Sequence, residues 1–157
     1  GTVVLELNPA KAPVTVNNFL AYVNDGFYSS TLFHRVISGF MIQGGGFTSG
    51  LAARTPTYPA IVLESTNANG LSNLRGTVAM ARTNVANSAT SQFFINHVDN
   101  LFLNYSGSLS PGYAVFGRVV SGMDVVDRIT TLPTRTVGAF ENVPQTDVTI
   151  LSAQQTR

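Results

Sequence analysis

Apolar residues in this chain come in short runs, and turn-forming residues separate nearly all of them. Runs of this kind, rich in Val, Ile, Phe and Thr, predict strands. The first is Thr2–Leu7, closed by Asn8-Pro9. A second, Thr31–Ile37, turns through Ser38-Gly39 into a third, Phe40–Gln43, which runs into Gly44-Gly45-Gly46. Residues 49–75 are irregular, broken by Pro56, Pro59, Gly50 and Gly70, with only Ala60–Glu64 as a short strand. Gly76–Arg82 and Gln92–Val98 follow, joined by the polar loop Thr83–Ser91. Beyond a second polar loop, Asn100–Pro111, come Tyr113–Val120 and a last strand, Val148–Ala153, which could pair with the first.

Two segments carry a helical period instead. Val16, Phe19, Leu20 and Val23 recur on one face, Pro13 suits the first turn, and Gly26 is placed to close the helix. Met123–Thr131 forms the other, with Val125, Val126 and Ile129 as its stripe, Ser121-Gly-Met-Asp124 as a capping box and Pro133 as the stop. The tally is about eight strands and two helices without β-α-β alternation. That order predicts a mainly β protein, an antiparallel sheet or closed barrel, with a helix at each end as the compact arrangement.

Composition narrows the class. A chain of 157 residues points to one domain, residues 1–157, long enough to bury roughly 70% of its unfolded surface without metal or disulfide. Charged residues are only 11% and the net charge is +1, so there is no basic field for nucleic acid. Cysteine is absent, which excludes thiolate chemistry and cysteine metal sites. No apolar run approaches the ~20 residues of a membrane span. The chain opens on Gly rather than Met, as expected of a processed or trimmed form.

The chemistry concentrates in FHRVISGFMIQGGGFT, Phe33–Thr48. Arg35 stands there among Phe33, Val36, Ile37, Phe40, Met41 and Ile42. A guanidinium in apolar surroundings needs a structural partner or a ligand, because an unpaired buried charge is costly. Strand alternation puts His34 and Arg35 on opposite faces, so His34 reads as a hydrogen-bonded structural residue, as does His97. The glycine run lacks the Lys and Ser/Thr of a phosphate loop and marks a bulge or a close backbone approach. Gln43, at the end of an apolar strand, either clamps a peptide carbonyl or ties down that loop. In Phe93-Phe94 one ring can face the core while the other faces a groove. No nucleophile elbow, metal-spaced histidine pair or carboxylate cluster is present. What remains is an oily slot with one fixed cation and a few amides.

FHRVISGFMIQGGGFT, GTVAMAR, SQFFIN and AVFG, in this order and at these separations, resemble the cyclophilins over nearly the whole chain, and the bacterial members most. The resemblance implies a closed eight-stranded antiparallel β-barrel capped by two helices and peptidyl-prolyl cis–trans isomerase activity without cofactor. It implies Arg35 as the catalytic residue and Phe40, Met41, Phe94 and Leu103 as walls of a proline pocket. It further implies Gln43 on the substrate backbone, Ala81 and Arg82 along the strand edge where the peptide lies, and Gln92, Phe102 and Tyr113 at the groove. The sequence departs from the family at several points. Ser38 stands for a common Pro, Arg82 for the animal Asn, Tyr113 for a groove His and Phe102 for the animal Trp. The last removes an indole N–H donor, so cyclosporin is expected to bind weakly.

The expected partners are proline-containing peptides and unfolded or folding proteins, met by a monomer, with no nucleic acid and no membrane. A groove that holds proline segments without turnover is the alternative, and Arg35 favours the enzyme. Periplasmic residence is expected from the missing Met and GYAVFG, with the cytoplasm as the alternative suggested by FLNYSG.

Overall fold

A computed structural model describes residues 1–157. In chain order the elements are β1 (Val4–Leu7), α1 (Pro13–Asn24), β2 (Thr31–Leu32), β3 (Arg35–Ile37), β4 (Met41–Gly44), β5 (Phe47–Thr48) and β6 (Ala52–Ala53). Then come α2 (Thr66–Asn69), β7 (Thr77–Met80), β8 (Phe93–Asn96), a 3-10 turn (Leu101–Leu103), β9 (Val115–Ser121) and α3 (Met123–Thr130). The chain ends with β10 (Thr134–Val137), β11 (Phe140–Pro144) and β12 (Thr149–Ile150). The protein is mainly β, with three α-helices where two were expected.

The main sheet has six strands in the order β1-β9-β7-β8-β4-β3, and all its pairs are antiparallel. Three two-stranded pairs, β10–β11, β12–β2 and β5–β6, complete the β structure. The last strand therefore does not pair with the first. Thr149 and Ile150 lie opposite Leu32 and Thr31, and bonds from Ser30 N to Ile150 O and Phe33 N to Val148 O extend that ladder. Both chain ends are short apolar strands, and a strand's alternation carries no information about its partner.

Other local expectations are also revised. Thr31–Ile37 breaks into β2 and β3, with Phe33 and His34 between them. Ala60–Glu64 makes one isolated bridge, Ile61 to Ala89. Glu64 instead reaches the start of α1, where its carboxylate accepts bonds from Thr15 N and Thr15 Oγ1, both 2.6 Å, and from Val14 N at 3.3 Å. That satisfies helix N–H groups that Ala12, at the N-cap, cannot serve. The expected capping box at Ser121 does not form. Ser121 ends β9, and the N-cap is Gly122 at φ +93° with no side-chain cap bond. A Cβ at Gly122 would strike the carbonyl of Thr2, so the close pass of the chain's start sets this residue. The hairpin β10–β11 had no counterpart in the apolar pattern.

One face of the main sheet packs beneath α1. Val36, Ile42, Val78, Met80, Phe93, Ile95 and Phe116 join Val16, Phe19, Tyr22 and Val23 in the larger core. Phe19 is its aromatic centre, with Tyr28, Phe93 and Phe116 at 5.1–5.4 Å between ring centroids. Asn18 of α1 is also buried and donates to Thr90 O at 2.8 Å.

Candidate active site

The opposite face of the same strands builds a second, smaller cluster of Met41, Ala79, Phe94, Leu103 and Val115. Alternation makes the division: in β8, Phe93 enters the larger core while Phe94 enters this one. In β4, Ile42 points one way, while Met41 and Gln43 belong to the other side. In β3, Val36 is buried in the core and Arg35 is half-buried on the opposite face.

This cluster opens into a cleft of about 120 Å³ lined by Arg35, Phe40, Met41, Gln43, Ala81, Arg82, Phe94, Leu103 and Tyr113. Met41, Phe94 and Leu103 are buried and form its floor. Arg35 lies opposite Gln43 in the β3–β4 register. Its Nη1 donates to Gln43 Oε1 at a long 3.4 Å, and its guanidinium carbon is 5.9 Å from the centroid of Phe40. No carboxylate pairs with it. Gln43 Nε2 in turn donates to Gln92 Oε1 at 3.0 Å. A relay of amides thus aligns the guanidinium and leaves most of its donors available.

Gln92 and Phe102 stand outside the lining. Gln92 acts behind Gln43. Phe102 is 71% exposed and stacks on Phe40, with centroids 5.7 Å apart and planes 25° from parallel. Tyr113 sets its ring edge-on to Phe94 at 5.7 Å and carries the Arg82 guanidinium over its face at 4.7 Å. The glycine run is a close approach, as one of its two readings had it. A Cβ on Gly46 would lie 2.5 Å from Gln92 Cγ, and one on Gly44 would lie 2.5 Å from Leu32 O.

His34 and Arg35 do face different surroundings. The His34 ring is buried against Phe47 at 4.6 Å and Phe140 at 6.3 Å. Its Nδ1 has no hydrogen-bond partner, against the expectation of a hydrogen-bonded residue. Burial, and then the charge of Arg35, lower its pKa to about 4, so the ring is neutral at pH 7. His97 is structural: its Nδ1 accepts from Gly39 N at 2.9 Å, and Nε2 meets Asp127 Oδ1 at 3.2 Å. Hydrogen bonds from Arg75 hold the Asp127 carboxyl below its usual range.

Behind the pocket lies a buried amide ladder that the sequence reading missed. Asn100 Nδ2 donates to Phe40 O at 2.9 Å and to Asn96 Oδ1 at 2.8 Å. Asn96 Nδ2 donates to Asn73 Oδ1 at 3.0 Å, and Asn73 Nδ2 donates to Leu103 O at 3.3 Å. The two pocket walls, Phe40 and Leu103, are thereby tied through three side chains. These asparagines sit in loops or at a strand end, where turn chemistry explains them equally well. Nothing in their spacing announced the ladder.

Two guanidiniums, an amide and a phenol beside an apolar floor equip the cleft to bind and orient a ligand. The fold thus presents a ligand-binding cleft on one face of a mainly β scaffold. The family model described as cyclophilin type peptidyl-prolyl cis-trans isomerase/CLD matches residues 1–155, and the chain belongs to that family. It is 53% identical over 154 residues to peptidyl-prolyl cis-trans isomerase A of Dickeya dadantii (strain 3937), covering 98% of this chain and 79% of that one. It is 52% identical over 154 residues to peptidyl-prolyl cis-trans isomerase B of Escherichia coli (strain K12), covering 97% and 92%. The crystal structure of a Cryptosporidium parvum cyclophilin type peptidyl-prolyl cis-trans isomerase, in the presence of the dipeptide Ala-Pro, superposes with a TM-score of 0.82 at 26% identity. That match covers 100% of this chain and 94% of the other.

Proposed function

We propose that this protein accelerates cis–trans isomerisation of X-Pro bonds in peptides and folding proteins, and that Arg35 is its catalytic residue. The observation that carries the reading is a guanidinium without a carboxylate partner on the rim of an apolar cleft.

Amide resonance sets a rotation barrier of ~18–20 kcal/mol, and X-Pro bonds interconvert unaided over tens to hundreds of seconds. No covalent bond needs to form. The catalyst has to hold the twisted amide better than either planar form. On twisting, the prolyl nitrogen becomes pyramidal and regains a lone pair. Arg35, always charged and planar, donates to that nitrogen. Met41, Phe94, Phe40 and Leu103 hold the ring and exclude water, which strengthens the interaction. Gln43, braced by Gln92, binds the substrate backbone, and the peptide runs along Ala81 and Arg82 beside Tyr113. Phe102 extends the wall outward from Phe40.

The protein works as a monomer and binds cyclosporin weakly, since Phe102 has no N–H to offer. The six-stranded sheet and the β12–β2 pair together form the closed eight-stranded barrel. The bond from Gly45 N to Leu32 O, 3.3 Å, links β4 to β2 and supports that closure.

An isomerisation assay on a short proline peptide at catalytic protein concentration tests the reading. Multiple turnovers are expected. Stoichiometric binding with no acceleration would refute it.

A further inference from the structure

The cleft is electrostatically one-sided. Arg35 and Arg82 both line it, and none of the chain's eight carboxylates does. Seven carboxylates are engaged elsewhere: Glu6 with Arg118, Asp25 with Tyr58, Glu64 at α1, Asp99 on Arg75 N, Asp124 with Arg128, Asp127 with Arg75, and Asp147 with Ser49. Glu141 is exposed on β11.

Arg82 is also held in place. Its Nε and Nη2 donate to Gly112 O at 3.0 and 2.7 Å, its Nη1 donates to Thr83 O at 2.8 Å, and its plane lies over Tyr113. All three bonds go to neutral carbonyls, so the full positive charge is uncompensated. A guanidinium has five N–H donors, and two remain free. A long side chain fixed this way loses little further freedom on meeting an anion.

We infer that Arg82 is a specificity-determining residue that selects acidic peptides, placing a substrate Asp or Glu near the proline against its free donors. The inference rests on the isomerase reading above. Arg35 serves the bond that rotates, whereas Arg82 reads a flanking side chain.

The test is turnover of a peptide series in which Glu, Gln or Lys is scanned through the three positions on each side of one proline. At low salt, kcat/KM at one position should favour Glu over Lys by about three- to tenfold, mainly through KM, and the ratio should fall toward one in high salt. Arg82→Gln should abolish the ratio and Arg82→Glu should invert it, whatever either does to overall turnover. Arg82→Lys should keep its sign. Equal turnover of Glu and Lys peptides at every position overturns the inference, as does a preference that survives in Arg82→Gln. If wild-type protein turns over none of the peptides, the isomerase reading itself fails, which is a different result.

Discussion

Replacing Arg35 with alanine removes the cleft's proposed reactive donor at little cost to the fold. The side chain makes one long hydrogen bond, 3.4 Å to Gln43, and no ion pair, so its loss strands no buried charge. Strand β3 is anchored by Val36, only 2% exposed, which is untouched. Unfolding free energy should therefore change by less than about 1 kcal/mol. Turnover should respond very differently. Bringing an uncatalysed exchange of minutes down to milliseconds needs ~10⁵-fold, or ~7 kcal/mol. Removing one preorganised donor from such a site typically costs ~10²- to 10³-fold, or ~3–4 kcal/mol. The residual acceleration would come from the apolar floor and Gln43. The loss should fall on kcat more than KM, because the contact is strongest in the twisted state. Arg35→Lys should stay within about tenfold of the alanine variant, since a point charge lacks the planar fork. Exchange measured by NMR on a proline peptide, beside a urea titration of each variant, gives both quantities. A natively stable Arg35→Ala protein with turnover within threefold of wild type would refute the reasoning.

The other predictions concern residues that support the site. Gly46→Ala should push the flexible Gln92 side chain aside and break its 3.0 Å bond with Gln43. KM for a proline peptide should rise several-fold, while stability falls by less than about 1 kcal/mol. Asn96→Ala removes a fully buried amide that bonds Asn73, Thr77 and Asn100. Stranding those partners should cost about 2–4 kcal/mol in urea unfolding. His34 titrates at about 4 when folded and near 6.5 when unfolded, so the unfolded chain takes up its proton first as pH falls. Its contribution is therefore complete above pH 6.5 and declines toward pH 4, with a ceiling of about 3 kcal/mol. Denaturant midpoints of wild type should drop across that window more steeply than those of His34→Phe; parallel slopes would refute the assignment.

Much of the site was legible because it is written locally. Arg35, Met41 and Phe94 sit on strands whose alternation separates each from its neighbour, and the family resemblance named which of the two faces the pocket. That places the cation and the two apolar floor residues opposite Val36, Ile42 and Phe93. The helical stripe of α1 is local in the same way. The absence of thiol chemistry was equally readable, as no folding can supply the cysteine this chain lacks.

Contacts between distant segments were not legible. The partner of the last strand, the cap that Glu64 gives α1 from 49 residues away, and the asparagine ladder from Phe40 to Leu103 all depend on register between segments far apart in sequence. So does the stacking of Arg82 on Tyr113, which turns a surface arginine into a fixed charge on the cleft. Periodicity specifies which side of an element is apolar. Which elements meet, and which polar groups are then buried together, is decided only when the whole core packs at once.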